Sequence, residues 1–213
     1  MKKTECRERS YPMEDKISFQ SGDLKIEGLL GKGSSRHGVV ITHPHTLFGG
    51  DMYNVVVESL VTVYQQKGFT TLRFNFRGAG KSQGSFDQGT GEQMDVMSAI
   101  SWMKEHHDIH DIDLAGYSFG AWVNALVSSR EIDVGRLIMV APPVAFIDFK
   151  DVKRLPGLFL VVSGSEDEYA PPEIIRELLP TWNPTARLEI MEGGDHFFFG
   201  HSSRLEAILN ERL

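Results

Sequence analysis

Three polar side chains, far apart in the chain, are of the types needed to attack a carbonyl: Ser118 in "GYSFG", Asp167 in "GSEDEYAPP" and His196 in "GGDHFFFG". A serine hydroxyl is a weak nucleophile until an imidazole takes its proton, and the imidazole needs a carboxylate to orient it. Gly116 and Gly120 stand two residues either side of Ser118. In a Gly-x-Ser-x-Gly turn between a strand and a helix, the serine occupies a strained corner that lifts its Oγ above the sheet edge. Glycine there relieves crowding between the flanking residues. The chain has 21 glycines, so the pattern alone has moderate specificity, and a glycine-flanked turn without chemistry is the bland alternative. The setting adds weight: residues 112–117 read as a strand and the run from Ala121 as a helix.

Asp167 falls just beyond the carboxyl end of the strand-like "LFLVVSG", and His196 lies in a glycine-rich loop after the strand-like "ARLEIM". Open α/β sheets gather their sites at the carboxyl ends of strands, and all three residues fall at such ends in the order Ser, Asp, His. Glu166 and Glu168 flank Asp167 and are alternative acids. His201 competes with His196, and Asp195 is too local to serve as the acid.

The elements that must position these residues alternate. "KISFQSGDLKIEGLL" reads as a hairpin turning at Ser21-Gly22-Asp23. "GVVITHP" is a buried strand, followed by a helix with Val56, Leu60, Val63 and Tyr64 at helical spacing and Gly68 as its stop. Strand "TTLRFNF" precedes a helix with Met94, Met97, Ile100, Ser101 and Met103 on one side. Strands "IDLAGY", "RLIMVAP", "LFLVVSG" and "ARLEIM" follow, with helices between them and "SRLEAILNERL" at the end. This alternation predicts one α/β domain, residues 16–213, behind a polar extension, residues 1–15. Its sheet is mainly parallel and covered by helices on both faces, with antiparallel strands at the start.

Bulk composition fits a soluble globular chain: 213 residues, 41% hydrophobic and 24% charged. A net charge of −7 with no polybasic run gives nucleic acid no electrostatic hold. Cys6 cannot pair internally and lacks CxxC spacing. No apolar run approaches a membrane span, and the first residues lack a signal-peptide core. A cytoplasmic protein without a membrane partner is the expectation.

With "THPHTLFGGDM", "RFNFRGAGKSQG", "GYSFG", "GSEDEYAP" and "GGDHFF" in place, the chain from about residue 17 onward resembles the α/β-hydrolase superfamily. Within it the chain is most similar to small lidless enzymes close to the dienelactone-hydrolase group, which often carry cysteine where this chain has Ser118. The resemblance implies Ser118 as nucleophile, Asp167 as orienting acid and His196 as base. It also implies that "RFNFRGAGKS" is a structural turn. A lid is commonly inserted near residues 142–158 in related lipases, and here there is no room for one. An open, shallow site for small or extended acyl substrates is the consequence.

An oxyanion hole needs two N–H donors. One is expected from Phe119, the other from the loop after an early strand. Pro44 has no N–H, so that donor is His45 or Thr46, with His45 preferred. Phe86, Phe146 and Phe197–Phe199 are candidates to line an acyl pocket, although loop phenylalanines are as often satellite core. "GAGKS" is not a phosphate loop, because Asn75 stands where the motif needs glycine. His43 and His45 at i, i+2 would face opposite sides of a strand and have no third ligand, so neither metal nor cofactor is expected. His106, His107 and His110 follow a polar helix end, where cations suit the helix dipole. The expected function is hydrolysis of a carboxylic ester of a small acyl substrate. A thioesterase, an amidase or peptidase, and a non-catalytic binding scaffold are the alternatives.

Overall fold

The computed structural model describes residues 14–107, 109–130 and 132–213; Cys6 and most of the polar extension lie outside them. The hairpin is present as β1 (Glu14–Ser21) and β2 (Leu24–Gly31), turning through Gly22 at φ 58°. Then come β3 (His37–Thr42), α1 (Val55–Gln66), β4 (Thr70–Phe74), α2 (Thr90–His107), β5 (Asp111–Tyr117) and α3 (Phe119–Ser128). The chain closes with β6 (Leu137–Val140), β7 (Leu158–Gly164), α4 (Pro172–Trp182), β8 (Arg187–Met191) and α5 (Ser202–Arg212).

Among the described residues the eight strands form one sheet in the order β1-β2-β4-β3-β5-β6-β7-β8. β1–β2 and β2–β4 are antiparallel, and every other neighbour is parallel. Right-handed crossovers dictate the layers. From β3 to β4 the chain moves one way across the sheet, carrying α1 to one face. From β4 to β5, β5 to β6 and β7 to β8 it moves the other way, carrying α2, α3 and α4 to the opposite face. α5 accordingly packs on α1, and α2 on α3. The direction of winding reverses between β3 and β5, whose ends are in register at Thr42 and Gly116. Such a reversal opens a crevice above the strand ends.

The central strands are buried on both faces, which is why they read as continuous apolar runs: Val39, Val40, Ile41, Leu72, Phe74, Leu114 and Ala115 are fully enclosed. Asn54 caps α1 by accepting the Val56 N–H at 2.9 Å, and Gly68 ends the turn after it with φ 80°.

The expected inward face of α2 needs correction. Ile100 and Met103 are buried, but Met94 is 46% exposed and Ser101 faces solvent. The buried side runs instead through Glu92, Asp95, Val96, Ala99, Ile100 and Met103. Asp95 goes inside because Arg77 meets it, with Nε at 3.1 Å and a terminal nitrogen at 2.8 Å, while the Arg77 N–H donates at 3.0 Å. Glu92 accepts the Asp87 and Gly89 N–H groups, each at 2.8 Å. Buried carboxylates of this kind are tolerated only when paired, and apolar spacing does not reveal them.

Candidate active site

Ser118 stands between β5 and α3 at φ 54° and ψ −118°, a backbone conformation that non-glycine residues rarely adopt. The fold holds it there: its N–H donates to the Val140 carbonyl at 2.9 Å, and its own carbonyl accepts from Trp122 at 3.2 Å. The flanking glycines are steric requirements. A Cβ on Gly116 would lie 2.6 Å from Thr42 Oγ1 and 2.7 Å from the Gly120 carbonyl carbon. One on Gly120 would lie 2.6 Å from Thr42 Oγ1 and 2.7 Å from the His43 carbonyl oxygen. The corner is thus jammed against the end of β3.

The structure brings Ser118, His196 and Asp167 into one line. Ser118 Oγ is 2.9 Å from His196 Nε2, and His196 Nδ1 is 3.0 and 2.9 Å from the two Asp167 oxygens. A carboxylate only accepts, so Nδ1 carries the proton and Nε2 is left to accept from the serine hydroxyl. Asp167 is buried, and its Oδ1 also accepts the Tyr169 and Ala170 N–H groups at 2.9 and 2.8 Å. Glu166 and Glu168, the alternative acids, are exposed. His201, the alternative base, stands at the N-cap of α5.

The loops after β7 and β8 are tied together, which sets Asp167 against His196. Glu166 donates to the Gly194 carbonyl at 2.9 Å and Gly193 to Ser165 Oγ at 2.8 Å. Asp195 Oδ1 accepts the Phe197 and Phe198 N–H groups, each at 3.0 Å. That turn holds buried Phe198 at φ 54°. Tyr117 donates its hydroxyl to the His196 carbonyl at 2.7 Å, and burial pushes that phenol well above its ordinary range. Asp195 and Tyr117 thus brace the histidine. Their proximity to His196 and Ser118 was the only sequence signal for that role.

Phe119 is the first residue of α3, so its N–H is among those a helix cannot use internally. His45 is the N-cap of a short 3-10 turn, residues 46–48, and lines the same cleft as Ser118 and Phe119. Its ring Nδ1 accepts the Leu47 N–H at 3.2 Å and lies among Phe48, Phe86 and Phe119, with centroids 4.7, 4.5 and 4.9 Å away. His43 pins the base of this loop. It is fully buried, donates from Nδ1 to the Pro44 carbonyl at 2.6 Å and accepts the Phe76 N–H on Nε2 at 2.9 Å. Burial lowers its pKa to about 4, so it is neutral at physiological pH.

The cleft above Ser118 has a volume of about 510 Å³. Phe146 and Phe197 line it; Phe86 does not, and packs behind His45 and Phe119 instead. Asn54 and Tyr169, which the sequence did not single out, line it as well. Among the described residues, none that lines it carries a carboxylate, an ammonium or a guanidinium. Among the described residues no cluster of His, Cys, Asp and Glu suits a metal ion, and no helix is long and apolar enough to cross a membrane. A buried hydroxyl–imidazole–carboxylate line can activate the hydroxyl as a nucleophile.

Comparison with known proteins agrees with this frame. A family model described as X-Pro dipeptidyl-peptidase (S15 family) matches residues 7–171. An uncharacterized protein of Rickettsia prowazekii (strain Madrid E) is 30% identical over 208 residues, covering 92% of this chain and 87% of that protein. An alpha-beta serine hydrolase homologue from Coxiella burnetii superposes with a TM-score of 0.88 at 35% identity, over 96% of this chain and 100% of that one. A lidless serine hydrolase from Xanthomonas campestris gives 0.84 at 30% identity, over 93% and 92%. The chain is a hydrolase of the lidless α/β-hydrolase type and belongs to the X-Pro dipeptidyl-peptidase (S15) family.

Proposed function

We propose that the protein hydrolyses carboxylic esters through an acyl-enzyme on Ser118. Oγ attacks the carbonyl carbon while His196 Nε2 takes its proton, and Asp167 holds the resulting imidazolium. The oxyanion is met by the Phe119 and His45 N–H groups. His196 then protonates the departing alcohol, and afterwards takes a proton from water as that water attacks the acyl carbonyl. His196 finally returns the proton to Ser118 as the acid product leaves. Each step uses only side chains and amides of this chain, and the partner it asks for is a small acyl substrate.

One observation carries the reading: Oγ lies 2.9 Å from an imidazole that is held by a buried carboxylate at 2.9 Å, at the floor of an apolar cleft. Intact mass after treatment with a fluorophosphonate tests it. A single adduct is expected on the wild type and none on Ser118→Ala or His196→Ala. A folded wild type that takes no adduct would favour an idle scaffold.

The family match supports a second reading, cleavage of an amide by the same residues. An exopeptidase that removes dipeptides has to recognise a free α-ammonium, and among the described residues no carboxylate lines the cleft to receive one. Esters therefore come first. Turnover of an Xaa-Pro anilide that matches turnover of a 4-nitrophenyl ester would reverse that order.

A further inference from the structure

Among the described residues, the exposed large hydrophobic side chains other than Met94 all follow the carboxyl ends of β3, β6, β7 and β8, and four of them, Phe48, Phe146, Tyr169 and Phe197, line the cleft. Several form a chain of rings. Phe48 meets Phe146 at 6.5 Å and 63°, Phe146 meets Tyr169 at 5.6 Å and 69°, and Tyr169 lies 4.8 Å from the His196 ring. β5 lies between β3 and β6 in the sheet, so Phe48 and Phe146 meet across the strand that ends at Ser118. Phe48 is 75% exposed and Phe146 59%, which leaves large ring surfaces without a protein partner. Patches of this kind beside a reactive group mark where an apolar ligand sits.

The chemistry divides these rings. In the tetrahedral intermediate the leaving group points to His196 Nε2, which protonates it, and the oxyanion points to the Phe119 and His45 amides. Tyr169 and Phe197, whose centroids are 4.8 and 5.6 Å from the His196 ring, therefore border the leaving group. The acyl substituent takes the remaining direction, beside Phe48 (4.7 Å from His45) and the Phe146 that meets it, with Ile147 next in the wall. We infer that the cleft selects uncharged esters whose acyl group ends in an aromatic ring, seated edge-to-face against Phe48 and Phe146. An aromatic guest gains ring pairing there beyond the burial that an alkyl chain of similar area would gain. Among the described residues the wall carries no ionised side chain, which disfavours charged acyl groups. This selectivity rests on the ester-hydrolase reading above.

The test uses 4-nitrophenyl esters, so that the leaving group is constant: acetate as reference, 3-phenylpropanoate, octanoate, and a trimethylammonio-butanoate that probes for a cation held by the rings. The readout is kcat/KM, which measures the seating of the acyl group from the free ester, with the leaving group the same throughout. The 3-phenylpropanoate should exceed octanoate by roughly three- to tenfold. Phe146→Leu and Phe48→Leu should bring that ratio close to one, while Phe199→Leu, outside the lining, keeps it. A preference for octanoate or for the trimethylammonio ester overturns the inference, as does a ratio that survives both wall variants. Acetate turnover that depends on Ser118 without any aryl preference overturns only the inference. Absence of acetate turnover overturns the ester reading and the inference with it.

Discussion

Ser118, His196 and Asp167 are buried and held from several sides, whereas Phe48, Phe146 and Phe199, on the loops around them, face solvent. The buried group is fixed by contacts that no substrate supplies: the Val140 carbonyl on Ser118, two backbone N–H groups on Asp167, and the Tyr117 hydroxyl on the His196 carbonyl. The rings of the rim are held mainly by one another. In the proposed reaction a hydroxyl, imidazole and carboxylate already aligned as substrate arrives need no reorganisation, and the fold over-determines their positions. Groups that would only shape a substrate wall need apolar area in roughly the right place.

The largest effects should come from the buried side of this contrast. In hydrolases with such a relay, removal of the nucleophile or base lowers kcat by about 10⁴- to 10⁶-fold, and amidation of the acid by roughly 10⁴-fold. Ser118→Ala, His196→Ala and Asp167→Asn should follow that order in stopped-flow assays with a 4-nitrophenyl ester. Residual turnover of Ser118→Ala within tenfold of wild type would move the chemistry elsewhere. Gly120→Ala attacks the same region through sterics. Its Cβ would press on the His43 carbonyl, which cannot move without the His43–Phe76 hydrogen bond. A loss of about 1–3 kcal/mol in urea unfolding is expected, together with reduced activity.

That division also explains what the sequence disclosed. Ser118, Asp167 and His196, which the fold brings within hydrogen-bond distance, were legible as candidates because each is a polar residue at a strand end, set off by glycine or by a turn. The strand–helix alternation was legible because strands covered on both faces read as unbroken apolar runs. The inward face of α2 was not, since Asp95 and Glu92 are buried through partners more than one turn away in the chain or in a preceding loop. Phe86 and Phe146 look alike in sequence, two phenylalanines in loops near the site. Only the fold shows that Phe86 packs behind His45 while Phe146 faces the cleft. Which way a loop ring turns depends on neighbours that no local pattern encodes.

His43 supplies a smaller effect and ties it to pH. Burial holds its folded pKa near 4 against an ordinary 6.5, so the unfolded chain binds the extra proton first as pH falls. The stability that His43 contributes is therefore complete above pH 6.5 and declines toward pH 4, by on the order of 3 kcal/mol. Denaturation at pH 7.5 and pH 4.5 should show this decline. His43→Gln, which cannot titrate, should be less stable at pH 7.5 and should lose less on acidification. An equal pH dependence in both proteins would assign the acid sensitivity to other groups, and His43 would then be no part of what makes the buried region rigid.

The smallest expected effect lies at the rim, and it is the one that sharpens the contrast most. Phe199 is 74% exposed and stacks on Phe197, 5.7 Å away, so Phe199→Ser removes little buried area. Its stability should stay within about 0.5 kcal/mol of wild type in urea unfolding, the range of ordinary surface substitutions. Phe198→Ser, one residue earlier, removes a buried ring that lies 6.2 Å from Tyr117 and should cost about 3 kcal/mol or more. Adjacent phenylalanines thus fall on opposite sides of the boundary between frame and wall. Equal losses at the two positions would mean that the rim carries stability of its own, and that its rings could not be exchanged between substrates without loosening the histidine beneath them.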